Sequence, residues 1–217
     1  MPDGPLMPHL GVDPQVLPAF ALAMALIELT PGPNLAWLAL LAASRGRAAA
    51  MRAIAGITVG LSAWLLATLF GLSRTPLFSE AGLEVLRWVG AAYMLWLAWE
   101  ALTPRPGVGS SPDHDRPFIR GLAANLLNPK AAIFYLALLP AFIKPWAGPV
   151  PVQILILGGL HIAISVAVHT AVVLGAAEAA SRLPPRWALA LRLLLAAGLL
   201  ATTLWLLSIP LSPGPAT

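Results

Sequence analysis

The stretch VLPAFALAMALIELTPGPNLAWLALLAA, residues 16 to 43, is long and apolar enough to cross a hydrocarbon core, which takes about 20 helical residues. Near its middle the run Thr30-Pro31-Gly32-Pro33-Asn34 interrupts it. A proline removes a backbone donor and clashes with the preceding turn, so Pro31, Gly32 and Pro33 in series open the helix instead of merely bending it. The carbonyls and amides freed there need partners inside the protein, because lipid offers none.

Working outward, further apolar stretches fall at roughly 51 to 72, 83 to 102, 118 to 143, 151 to 178 and 187 to 209. Hydrophobic residues make up 59% of the 217 and charged residues only 10%, too few to clothe a soluble fold. Spans in lipid must satisfy their own backbone, and such long unbroken apolar runs exclude a β-barrel. The chain therefore reads as an all-α polytopic membrane protein with six transmembrane helices. The net charge of +4 is scattered between apolar segments, which excludes a nucleic-acid role. The absence of cysteine removes thiolate nucleophiles and thiolate metal sites. No cofactor or metal is expected. The first apolar segment exceeds a signal h-region and follows no basic n-region, so it is expected to stay in the mature protein.

A second interruption, Asn125-Leu126-Leu127-Asn128-Pro129-Lys130, lies in the fourth stretch. The linker TPRPGVGSSPDHDRP, from Thr103 to Pro117, divides the chain between the third and fourth. Its Asp113, His114 and Asp115 read as a solvated loop. The breaks thus open two halves of three spans each, and an odd number of spans inverts the second half relative to the first. One transporter domain over 1–217 follows, with repeats at about 15–108 and 117–210 and helices one and four broken at midplane. Broken helices in matching places of inverted halves mark a midplane substrate site.

The candidate site gathers at the breaks. Each half-helix beginning after a break offers free amides and a positive dipole end to a carboxylate, which singles out Pro31, Gly32, Pro33, Asn34, Asn125, Asn128, Pro129 and Lys130 for substrate binding. A mid-membrane lysine must face a wet cavity or a partner; Glu28, the one carboxylate near the centre of a span, is the candidate ion pair. Glu28 is also a candidate to carry a coupling proton or bind a substrate ammonium. His161, Ser165 and His169 recur at i, i+4 and i+8 on one face of the fifth span, and either imidazole is suited to proton coupling.

Lys and Arg set the orientation. Arg45, Arg47, Arg52, Arg105, Arg116, Arg120, Arg182, Arg186 and Arg192 fall on one side, against Arg74, Arg87 and Lys144 on the other. Both termini are expected outside the cytoplasm. Trp88, Trp99, Trp146, Trp187 and Trp205 stand near span ends, where an aromatic belt belongs, and Trp37 and Trp64 lie deeper. Gly56 and Gly60 have the spacing that allows close helix approach.

These residues resemble the LysE/RhtB-type amino-acid exporters. The resemblance is carried by Thr30-Pro31-Gly32-Pro33-Asn34, by Ser44-Arg45-Gly46-Arg47, by Gly56, Gly60 and Gly71, and by Trp88-Val89-Gly90-Ala91-Ala92-Tyr93-Met94-Leu95. Its fullest part is Phe118-Ile119-Arg120-Gly121, Asn125 to Ala132, and Leu139-Pro140-Ala141-Phe142. It implies a bacterial inner-membrane secondary exporter of amino acids or close derivatives, driven by the proton gradient, with Pro31, Gly32, Pro33, Asn128, Pro129 and Lys130 in its functional core. Two departures stand out. Where many relatives carry a polar or charged residue in span two, this chain has Leu61-Ser62-Ala63-Trp64, which points away from a basic substrate. Glu28 is not part of the family motif. The partners expected are a small zwitterionic solute, protons and membrane lipid, with a homodimer as the candidate assembly. A cation exporter and an intramembrane enzyme are the rival readings.

Overall fold

The computed structural model describes residues 11–30, 32–71, 80–102 and 116–208. Every regular element among them is helical: α1 (Val16–Leu29), α2 (Pro33–Arg45), α3 (Arg47–Leu69), α4 (Glu80–Leu102), α5 (Pro117–Leu126), α6 (Pro129–Ile133), α7 (Leu139–Ala141), α8 (Val150–Arg182) and α9 (Pro185–Ser208). A π turn, Phe134–Leu138, joins α6 to α7, and a 3₁₀ turn, Pro145–Ala147, precedes α8. Pro31 and the Thr103-to-Asp115 part of the linker, with Asp113, His114 and Asp115, lie outside the described residues.

Both breaks form where the prolines stand. At the first, Thr30 turns extended and α2 restarts with Pro33 in its first turn, the place where a missing amide costs nothing. At the second, α5 ends before Leu127, and Pro129 opens α6 after an extended Asn128. The axes bend by 56° across the first break and by 53° between Pro117–Leu126 and Pro129–Ala141. α3 and α8 are each long and apolar enough to cross a bilayer, and each broken pair qualifies when taken as one span. By that measure two to four crossings are supported, and the molecule is a multi-pass membrane protein.

The core is apolar, but unlike a soluble protein's the surface is apolar too, and a set of polar groups is buried. Large apolar groups such as Leu26, Trp99, Leu194 and Trp205 are exposed, while Asn34, Asn125, Asn128, Gln153, His161, Ser165 and His169 are buried. Lipid accepts the former at no cost, and the latter need each other. Trp88, Trp99, Trp146, Trp187 and Trp205 are all exposed, as a belt requires, whereas Trp37 and Trp64 pack in the core. Gln153 is fully buried and clamps the turn before α8: its amide donates to the Lys144 and Gly148 carbonyls at 2.8 and 2.9 Å, and its oxygen accepts from the Lys144 amide at 2.9 Å.

α3 is the central strut, packing against α5 on one side and α8 on another. At the α3–α5 crossing, a methyl on Gly56 would meet the Phe118 carbonyl and one on Gly121 the Ala53 carbonyl, so the two backbones touch. The Gly56 and Gly60 spacing thus serves packing within the chain, and it brings the end of α5, with Asn125, against the middle of α3.

Candidate functional site

α1 brings Glu28 to within a turn of the first break, and α8 passes behind it. Because His161, Ser165 and His169 share one helix face, burying that face buries all three, and it turns toward Glu28. Glu28 Oε1 lies 3.0 Å from His161 Nε2, and Oε2 lies 3.4 Å from His169 Nε2. The far nitrogens are engaged too: His161 Nδ1 is 3.2 Å from the Tyr135 hydroxyl and His169 Nδ1 is 3.4 Å from Ser165 Oγ. Phe134 packs its ring 3.9 Å from that of His161 and walls off one side.

Lys130, in the first turn of α6, reaches back across to α1. Its ammonium donates to the Ile27 carbonyl at 2.5 Å and lies 3.4 Å from that of Thr30. These are carbonyls at the C-terminal end of a helix that stops at Leu29, where acceptors are orphaned and the dipole is negative. Of the two readings of Lys130, facing a cavity or pairing with Glu28, the side chains take the first: both residues face one cavity, with the lysine on the broken end of α1 and the carboxylate on the imidazoles.

The two restarting half-helices differ. α6 is capped by Asn128, whose Oδ1 accepts from the Lys130 amide at 3.0 Å, so its first turn is not free as the sequence suggested. α2 begins at Gly32 without a side-chain cap, and that end keeps its amides available. Replacing Asn128 by Ala is expected to cost about 1 kcal/mol of stability through the lost cap. A melting temperature equal to the wild type's in detergent would show the cap to be idle.

Glu28, Gly32, Asn34, Asn125, Asn128, Lys130, His161 and His169 all line one cavity, with Leu61, Phe134 and Ser165. Pro33 and Pro129 face a second, smaller one shared with Gly90 and Thr203. The buried Oδ1 atoms of Asn34 and Asn125 have no hydrogen-bond partner. Asn125 is held by its backbone, whose carbonyl accepts from Trp64 Nε1 at 3.4 Å, and its carboxamide fills the space that glycine leaves at Gly60. The main cavity has a volume of about 30 Å³, room for about two waters.

Sequence reasoning did not single out Tyr135 or Phe134. Tyr135 is fully buried and sits in the π turn, where the α-helical period that identifies faces does not hold.

Comparison with known proteins accords with this geometry. The family model described as LysE type translocator matches residues 25–209. A homoserine/homoserine lactone efflux protein of Salmonella typhimurium is 34% identical over 159 residues, covering 70% of this chain and 76% of that protein. A cysteine/O-acetylserine efflux protein of Klebsiella pneumoniae is 32% identical over 133 residues, covering 61% and 67%. A threonine efflux protein of Salmonella typhimurium is 32% identical over 136 residues, covering 57% and 66%. No solved structure matches the chain. With the family model spanning both breaks and the site between them, the chain belongs to the LysE type translocator family.

Proposed function

We propose that this protein exports amino acids, or closely related small zwitterionic metabolites, across the bacterial cytoplasmic membrane by proton-coupled secondary transport. The observation that carries the reading is the meeting of both helix breaks at one buried cavity that holds a carboxylate, an ammonium, two imidazoles and three carboxamides. Zwitterion recognition needs groups of both signs within a few ångströms, and coupling needs a group that titrates near neutral pH. Asn34, Asn128, Lys130 and the open end of α2 suit the carboxylate. Glu28, with His161 and His169, supplies the proton-coupling or ammonium-binding centre. Leu61 places an apolar group where a basic side chain would want a counter-charge, which favours a small neutral substrate. The relatives named for homoserine, threonine and cysteine/O-acetylserine efflux point the same way.

Six spans in two inverted triplets suit the packing. Exchanging α1 with α5, α2 with α6 and α7, α3 with α8 and α4 with α9 turns the α3–α5 contact into the α8–α1 contact. The same exchange turns the α2–α8 contact into that of α6 with α3, and returns α3–α8 and α4–α9 to themselves. The surplus of arginines after spans one, three and five supports termini outside the cytoplasm.

The test is efflux from proteoliposomes loaded in turn with labelled homoserine, threonine and cysteine, with and without a proton gradient. Efflux of at least one of them, accelerated by the gradient, is expected. Equal rates from protein-containing and empty vesicles for all three would remove amino-acid export, and rates indifferent to the gradient would remove the coupling.

A further inference from the structure

Both oxygens of Glu28 face imidazoles. One faces His161 Nε2 and the other His169 Nε2, while the Tyr135 and Ser165 hydroxyls occupy the two Nδ1 positions. The result is a line of polar groups, Tyr135–His161–Glu28–His169–Ser165, hydrogen-bonded at every link but Glu28–His169, and built from the π turn, α1 and α8.

Hydrogen-bond bookkeeping restricts where its protons sit. With Glu28 ionised and both imidazoles neutral, the line is best satisfied if His161 Nε2 carries hydrogen and donates to the carboxylate, while His169 Nε2 turns its hydrogen toward Oε2 at 3.4 Å as an electrostatic contact without a hydrogen bond. Both Nδ1 atoms then accept, one from the Tyr135 O–H and one from the Ser165 O–H. A proton added to the chain settles on one Nδ1, making that imidazole a donor at both nitrogens. Its hydroxyl partner then accepts where before it donated. A hydroxyl makes that change by rotating its hydrogen about a fixed oxygen, so the chain takes up a proton and releases it with no heavy atom displaced.

We propose that Glu28 with its two imidazoles is the proton site of the transport cycle and not the ammonium site, and that Tyr135 and Ser165 are positioning residues that set the imidazole tautomers. The inference rests on the proton-coupled reading above. The other charged group on this cavity, Lys130 from α6, is turned to the Ile27 and Thr30 carbonyls. α2, α3 and α5 present Asn34, Leu61 and Asn125, all uncharged. The substrate's ammonium is thereby left to the carboxamide of Asn125, whose buried oxygen has no other partner.

The experiment uses the full chain in proteoliposomes, with labelled threonine as the probe. It compares exchange, in which threonine leaves against threonine and no net proton need move, with gradient-driven efflux between pH 5 and 9. Glu28→Gln is expected to abolish the gradient-driven component and its pH dependence while exchange continues with its KM raised by less than about thirtyfold. Tyr135→Phe and Ser165→Ala are each expected to move the pH of half-maximal driven efflux by about half a unit or more, and Ser165→Thr to restore it. A rise of about thirtyfold or more in the exchange KM of Glu28→Gln would make Glu28 the ammonium site. An unmoved midpoint in both hydroxyl variants would remove their positioning role. If Glu28→Gln fails to fold, Glu28→Asp, which keeps the charge but shortens its reach, gives the same split between driven efflux and exchange. A wild type whose efflux ignores the gradient overturns the coupled reading itself, and is told apart because no variant is needed to see it.

Discussion

Replacing Lys130 by Ala should lower the initial efflux rate by at least about a hundredfold, equivalent to roughly 2.7 kcal/mol. Two losses combine. The half-buried Ile27 carbonyl loses the ammonium that satisfies it at the end of α1, and an acceptor left unpaired away from water costs about 1–3 kcal/mol. The substrate carboxylate loses the cation nearest to the uncapped start of α2, a further penalty of the same order for a desolvated charge pair. Lys130→Arg should not restore transport. The guanidinium is a wide planar fork, and the cavity has room for about two waters. Initial rates from vesicles reconstituted with equal amounts of folded protein decide the matter, and a rate for Lys130→Ala within about threefold of wild type would remove Lys130 from the site.

The second large effect falls on the fold. Gly56→Ala and Gly121→Ala each place a methyl on a facing carbonyl, that of Phe118 or of Ala53, closer than real contacts allow. Neither obstacle is a side chain that could swing aside; both are backbone, so α3 and α5 must separate along their crossing. The expected cost is about 3 kcal/mol or more for either variant, at the upper end of overpacking penalties. The two are not additive, since helices parted by one methyl accept the other more easily. Gly159 and Gly175 are the controls, because nothing lies within 4 Å of a methyl added there. In an exposed helix, Gly→Ala is neutral or stabilising by about 0.5–1 kcal/mol. Melting in detergent should separate the two classes clearly. Similar curves for Gly121→Ala and Gly159→Ala would mean that the α3–α5 crossing is looser than described.

Much of the site was legible from residue types and their spacing. Pro31-Gly32-Pro33 and Asn128-Pro129 announce broken helices because proline's geometry is local and does not wait for tertiary contacts. The alignment of His161, Ser165 and His169 follows from helix periodicity alone. A polar face on an apolar helix must then be buried. Other parts were hidden for identifiable reasons. Tyr135 escaped notice because the π turn departs from the 3.6-residue period. The partner of Lys130 stays open in the sequence because its acceptors are carbonyls, which every residue possesses; only the bend at Thr30 selects those of Ile27 and Thr30. The Asn128 cap was missed for a related reason: an asparagine before a proline is equally ready to bind a ligand or to close its own helix.

Sequence alone settled the solvent, the secondary structure and the places where two helices open, because hydropathy and proline act within a few residues of themselves. Only the tertiary structure decided that the two openings share one cavity, that Glu28 answers to His161 and His169 and not to Lys130, and that Tyr135 stands behind His161. Those pairings join residues that are distant along the chain. They depend on how closely α3, α5 and α8 approach, and that approach is set by glycines whose missing side chains mean little until another backbone lies against them.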